Sequence, residues 1–334
     1  MRNISEAFYT ASPLEVRGIG DLWRSFSCGR WKFVENHKKE TLTGCLCALG
    51  SEILFGLSFV FTRQVSGQAE PLELLGWRFV TAFSVLTVCA KAGLLKLNLR
   101  KKPVRHLLTA AVFSPILYFL GETFGVNATS ASESGIMIAC VPVASMIASA
   151  RILKKSPSKL QVIGISVTLA GVILTVAAAG LTATLSLPGY LFLTAAVVSF
   201  AVYSALVEQA EGFSSAEITY VTTAAGAAFF GISAIVQAAV RGTLPRLLTL
   251  PANPDFLTAF LYGGIGCSVL AFFMQNTALR RIGVNRTASF IGVSTVVSIL
   301  AGIVLLRETL SAAQLLGAGI IIAGIYIANM NMKT

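Results

Sequence analysis

Glu52 is the residue with the most chemistry to offer. It stands near the middle of an apolar run, residues 42–63, about 16 Å from either end if the run is helical. An ionisable group at that depth in an apolar segment is costly and turns toward protein or water. Phe55, Gly56 and Phe59 follow at three, four and seven positions, so they share its helical face. A carboxylate beside aromatic rings and a close-approach glycine suits an ammonium group or a transferable proton. It equally suits a structural ion pair or hydrogen bond between helices. Arg78, about 10 Å inside the next apolar run, is the candidate partner. It would pair with Glu52, receive an anionic group, or snorkel to a membrane surface.

Further polar residues gather at run ends. Tyr118 precedes Glu122 by four positions and shares its face. With Asn127 and Glu133, these two form either a recognition rim or a solvated turn. Gln275 and Asn276 stand at the end of a later run, and Asn276 matches Asn127 at a shift of 149 positions. That is the pattern of two polar mouths, or of two helix-end caps. Arg286 begins another run, where anchoring to lipid headgroups is the ordinary role. Glu308 beside Arg307 reads as a local pair that orders a turn. Only His37 and His106 are present, with no HExxH or GxSxG pattern, so neither a metal site nor an enzyme is expected. The expected metal and cofactor complement is none.

These residues need helices to position them, and composition says which kind. The chain has 334 residues, 55% hydrophobic and 12% charged, with mean hydropathy +0.76. Soluble domains carry about 25% charged residues. Runs of about 20 apolar residues match the length of a helix crossing hydrocarbon. The implied class is an all-α integral membrane protein. Net charge +11 and pI 9.6 fit loops facing an anionic leaflet better than nucleic acid, which is not an expected partner. Five of the six cysteines (Cys45, Cys47, Cys89, Cys140 and Cys267) lie inside apolar runs, as small hydrophobes.

Residues 1–40 are polar and mixed in charge, with Trp23, Phe26, Trp31 and Phe33 among Arg24, Arg30 and Lys32. They read as an interfacial helix or an unstructured tail. Ten spans are expected, at 42–63, 72–93, 105–125, 134–152, 158–178, 188–207, 215–239, 255–279, 286–306 and 311–330. Glu70-Pro71, Lys102-Pro103, Ser156-Pro157 and Leu187-Pro188-Gly189 mark helix starts, with Ser156 as the expected cap of span 5.

The chain repeats itself. Residues 132–174 align with 285–327 at a shift of 153 without a gap, and ten of the 43 pairs are identical. Gln161 matches Gln314, Gly164 matches Gly317, and Ala170-Gly171 matches Ala323-Gly324. Gly44, Leu46, Phe55 and Gln64 match Gly189, Leu191, Phe200 and Gln209 at a shift of 145. Two halves, 41–179 and 187–330, therefore hold five spans each. Five is odd, so the second half is inverted in the membrane. With the N-terminus in the cytoplasm, 21 basic residues fall inside and four outside, and both termini are cytoplasmic. Gly164, Gly171, Gly317, Gly319 and Gly324 suit close helix packing or a homodimer seam.

The chain resembles the EamA-type branch of the drug/metabolite transporter superfamily over about residues 41–330. Phe55-Gly56-x-Ser58-Phe59, Trp77-Arg78-Phe79 and the hairpin Leu305 to Ser311, followed by Gln314-x-x-Gly317 and Ala323-Gly324, carry the resemblance. The first-half copy departs at Lys155, where the family has an acid, and the second half has Thr295 opposite Pro142. The resemblance implies a secondary transporter in a plasma (inner) membrane, exporting small polar organic metabolites such as amino acids by alternating access. A nucleotide-sugar or other anionic-metabolite carrier, or a non-transporting scaffold or receptor, are the alternatives. It further implies that spans 1, 3, 4, 6, 8 and 9 surround a central cavity, with spans 5 and 10 peripheral to it. The candidate substrate contacts are then Glu52, Phe55, Phe59, Tyr118, Glu122, Gln275 and Asn276.

Overall fold

The computed structural model describes residues 39–58, 61, 65, 68–100, 102–129, 134, 137–178, 186–306 and 311–330. Among them the regular structure is helical: α1 Lys39–Ser58, α2 Pro71–Lys91, α3 Arg105–Ala128, α4 Val141–Ile152 and α5 Lys159–Ala178. There follow α6 Leu187–Glu208, α7 Ser215–Val240, α8 Pro254–Ile282, α9 (Val284–Ser289 continuing as Gly292–Leu306) and α10 Ala312–Asn329. A short helix, Leu244–Thr249, lies in the α7–α8 connection. Nine stretches among the described residues are long and apolar enough to cross a membrane. The exception is α4. Its regular part, Val141–Ile152, has twelve residues; residues 137–139 before it are also helical, and residues 135 and 136 lie outside the described part. Of the expected tail, Lys39 and Glu40 are the first residues of α1, and residues 1–38 lie outside the described part. Residues 44–332 form one compact unit.

Local chemistry starts the helices. Pro71 occupies the first turn of α2 behind Glu70, whose backbone N–H donates to Glu73 Oε2 at 2.9 Å. Ser186 Oγ accepts from Gly189 N at the start of α6. At α5 the cap is Ser158, not the expected Ser156: Gln161 N donates to Ser158 Oγ at 3.2 Å, and Ser158 N donates to Gln161 Oε1 at 2.9 Å. Ser311 and Gln314 make the same pair of bonds at α10, also 3.2 and 2.9 Å. The repeated glutamines therefore belong to capping boxes, one per half.

Lipid gives apolar helices no reason to associate, so close packing must supply it. The longest contact is α5 along α10. A Cβ on Gly164 would lie 2.6 Å from Gly324 O, and one on Gly171 would lie 2.8 Å from Gly317 O. The numbering falls along α10 as it rises along α5, so the pair is antiparallel. Thr168 and Thr175, which lie against Gly324 and Gly317, return their hydroxyls to Gly164 O and Gly171 O, both at 3.0 Å. Gly319 differs from its neighbours: nothing lies within 4 Å of a Cβ there, so it packs against nothing in the described chain. On α3, Gly121 and Gly125 admit the backbone of α6, with Phe192 O 2.6 Å from a Cβ on Gly121. Gly56 does the same between α1 and α9, where Ser294 O would be 2.6 Å away.

Two helices depart from α geometry. In α3 the backbone breaks at Ser114 (φ −144, ψ 123), just before Pro115, so the span is two helical pieces joined at a kink. In α8 the turns are wide over Tyr262–Ala271. Wide turns inside α-helices recur at functional sites. An aromatic core of Phe79, Phe119, Phe230 and Phe272 joins α2, α3, α7 and α8.

Gly164→Val and Gly324→Val should each force α5 from α10. Overpacking of this kind costs about 1–3 kcal/mol. The Tm of the detergent-purified protein should fall by several degrees in both, and stay unchanged in Gly319→Val. Equal Tm values in all three would refute the crossing.

Candidate functional site

Glu52 is 5% exposed on the inner face of α1. Its carboxyl is in hydrogen-bonding reach of the Ser294 hydroxyl on α9. Gly56, one turn on, makes this possible, because any side chain there would meet Ser294 O and Val297 and hold α9 away. Beside Glu52, the Ser51 hydroxyl contacts both Ala48 O at 2.8 Å and Gln275 Oε1 at 2.9 Å. Gln275 is buried, 1% exposed. Phe55 meets Phe272 edge to face, ring centroids 5.8 Å apart.

Arg78 comes from α2 and turns inward instead of snorkelling. Its Nε donates to Ser268 Oγ in α8 at 2.8 Å. The guanidinium carbon sits 4.7 Å from the Phe119 ring centre and 5.6 Å from that of Phe79, both within cation–π range. Gly263 and Gly264 allow this approach: a Cβ on either would be 3.1 Å from Arg78 Cδ or 3.0 Å from Arg78 O. The expected ion pair with Glu52 does not form. Among the described residues Arg78 has no carboxylate within 4 Å. It acts electrostatically on Glu122 and Tyr118 instead.

Tyr118 is the centre of the group. Its hydroxyl donates to Glu122 Oε1 at 3.2 Å, and Glu52, Glu122 and Arg78 all lie in electrostatic reach of it. Its ring packs on Phe119 and Phe200, with centroids 5.0 and 5.4 Å away. Glu52, Arg78, Tyr118 and Glu122, carried by three different helices, thus form one polar cluster lined by phenylalanines, with Ser268 and Ser294 at its edges.

Other expectations change. Asn276 is fully buried, while Asn127 is exposed, so they are not matched mouths. Asn276 Oδ1 accepts from the Tyr203 hydroxyl at 2.6 Å, and its Nδ2 donates to Thr219 Oγ1 at 3.0 Å. It knits α8 to α6 and α7, away from the cluster. Gln275 and Asn276 are not at a helix end either, since α8 continues to Ile282. Phe59, Glu133, Arg307 and Glu308 lie outside the described residues. Ser51, Ser268 and Ser294 had not been singled out from the sequence. A serine in an apolar helix ordinarily returns its hydroxyl to its own backbone, and its spacing carries no sign of more. Among the described residues no group of three or more His, Cys, Asp or Glu could hold a metal.

The EamA-like transporter family matches residues 42–177 and 187–330. Bacillus subtilis (strain 168) has a relative named uncharacterized transporter YcxC, 32% identical over 298 residues, covering 89% of this chain and 96% of that one. In Escherichia coli (strain K12) the uncharacterized inner membrane transporter YedA is 25% identical over 297 residues, covering 86% of this chain and 90% of its own. A solved crystal structure, 19% identical, superposes with a TM-score of 0.73 over 88% of this chain and 97% of that one, which shows a shared fold. Two family matches that together span nearly all the described residues, on a multi-pass helical chain, leave one conclusion: the chain belongs to the EamA-like transporter family.

Proposed function

We propose that this membrane transporter moves small polar organic metabolites, amino acids or related compounds, by alternating access, in the export direction across an inner membrane. The observation that carries the reading is the polar cluster. An arginine and two glutamates lie within the apolar helices, and among the described residues no ion pair closes the set. Such groups are costly within a bilayer and mark substrate or ion routes. A guanidinium without a carboxylate partner suits a substrate carboxylate, which it would bind through its two-pronged fork. Glu52 and Glu122 suit an ammonium group or a proton. Phe55, Phe119 and Phe272 would exclude water around the bound molecule, and Gln275 would bear on it through Ser51.

The working architecture we infer is two inverted five-helix halves, 41–179 and 187–330, with α4 as the tenth crossing element. The α5–α10 crossing supports it. Under the 153-position shift the contact of Gly164 with Gly324 becomes that of Gly317 with Gly171, so the pair exchanges into itself. Antiparallel helices with this property are related by a two-fold axis across them, as inverted repeats require. The excess of basic residues in the expected cytoplasmic loops supports cytoplasmic termini.

One observation favours a second substrate class. Arg78 is the cluster's lone cation among the described residues, and it faces no ion pair. Anionic metabolites without an amine would use it alone.

Two substitutions test the site in proteoliposomes. With labelled amino acids, Glu52→Gln should lower flux at least about tenfold, the effect of about 1.4 kcal/mol or more in the transported complex, and should flatten its pH dependence. Unchanged flux with an unchanged pH profile would remove Glu52 from the mechanism. Arg78→Lys keeps the charge but loses the fork and the ring stacking. It should raise the KM for carboxylate-bearing substrates at least about tenfold, a loss of about 1.4 kcal/mol or more. An Arg78→Lys protein with wild-type KM would remove Arg78 from recognition.

A further inference from the structure

A second polar region lies away from this cluster, where three connections meet. Gly283 takes φ +79 and so lets the chain turn sharply from α8 into α9. At the end of α6, Glu208 receives both that turn and the α4–α5 connection. Its Oε2 accepts from Val284 N, and its Oε1 accepts from Lys155 Nζ at 2.6 Å. Between these segments is a cavity of about 550 Å³, the size of a small-molecule site. None of the cluster residues lines it.

Its charge is out of balance. Lys155, Arg280, Arg281 and Arg286 line it, against two carboxylates, Glu208 and Glu211. Both Glu208 oxygens are already engaged, one with Lys155 and one with a backbone N–H. Among the described residues the side chains of Arg280 and Arg286 have neither a hydrogen bond nor an ion pair. Arg286 is half-buried, so water screens it less than an ordinary surface arginine. Like charges gathered around one cavity repel each other, and an anion seated between them would relieve that. Arginine forks match phosphate oxygens in pairs. Connections between membrane-crossing helices also lie at the depth of lipid phosphates, where basic pockets hold anionic headgroups.

We propose that the cavity between the α4–α5, α6–α7 and α8–α9 connections binds a phosphate-bearing anion, with Arg280 and Arg286 as its charged ligands. The anion is either the headgroup of an acidic phospholipid or a soluble phosphate compound. The site stands independently of the transported substrate, because none of the residues assigned to transport takes part.

The test uses the full-length protein, delipidated in an uncharged detergent. It is titrated with short-chain phosphatidylglycerol, phosphatidylcholine of the same chain length, inorganic phosphate, and chloride at matched ionic strength. Binding is read from Tm, which rises when a ligand binds the folded state alone, and from native mass spectrometry. Saturable binding of phosphatidylglycerol alone identifies a lipid site. Saturable binding of inorganic phosphate as well identifies a soluble phosphate site. In either case R280Q/R286Q should weaken binding at least about tenfold, as loss of charge-assisted hydrogen bonds implies. K96Q/R100Q removes the same charge from residues outside the cavity lining and should leave binding intact. R280K/R286K keeps both charges and should weaken binding severalfold, a readout that survives if the glutamine variant does not fold. The proposal is overturned if neither probe binds saturably, if binding is unchanged in both arginine variants, or if K96Q/R100Q weakens it equally.

Discussion

A guanidinium held among phenylalanine rings inside an apolar bundle is the constraint around which this protein is arranged. Arg78 cannot be left unsolvated, and no carboxylate among the described residues closes on it. Its stabilisation is spread instead over a serine hydroxyl, two ring faces and the field of Glu122. Each contact needs a helix at the right distance. Gly263 and Gly264 let α2 reach α8, Gly121 and Gly125 bring α3 against α6, and Gly56 brings Ser294 to Glu52. Glycine here sets the geometry of the charges. Replacing one moves a helix, and the helix carries a polar group with it.

The same logic separates the two kinds of buried amide. Asn276 has partners on two sides and no spare donor directed at the cluster, so it behaves as a rivet between α6, α7 and α8. Gln275, its neighbour in sequence, points about 100° around the helix and meets Ser51 beside Glu52. Adjacent positions on one helix thus serve stability and the site respectively.

Much of this was legible in the sequence. Apolar run length marked the helices, because hydrocarbon thickness admits few other solutions. Glu52, Arg78, Tyr118 and Glu122 stood out because ionisable groups are rare in such runs. Tyr118 and Glu122 could be paired from their spacing, but which residues of other helices meet them could not be read. Helix rotation and the inward turn of α2 depend on glycines whose partners are far away in sequence, so Arg78 looked like a snorkelling residue and a partner for Glu52. Asn276 and Asn127 aligned in the repeat, yet one is buried and the other exposed, because alignment preserves position along a helix and not what surrounds it. The paired glutamines were visible as a register, but their capping role needed the serines three residues before them.

The α5–α10 crossing has an evolutionary corollary. Each side of it presents glycines at matching positions to the other, Gly164 and Gly171 against Gly324 and Gly317, so one repeated pattern specifies both close approaches. A half-length ancestor with one such helix would already have matched an upside-down copy of itself. Duplication and fusion would then have joined two surfaces that fitted beforehand, and divergence elsewhere, as at Lys155 and Glu308, could proceed without loosening that seam.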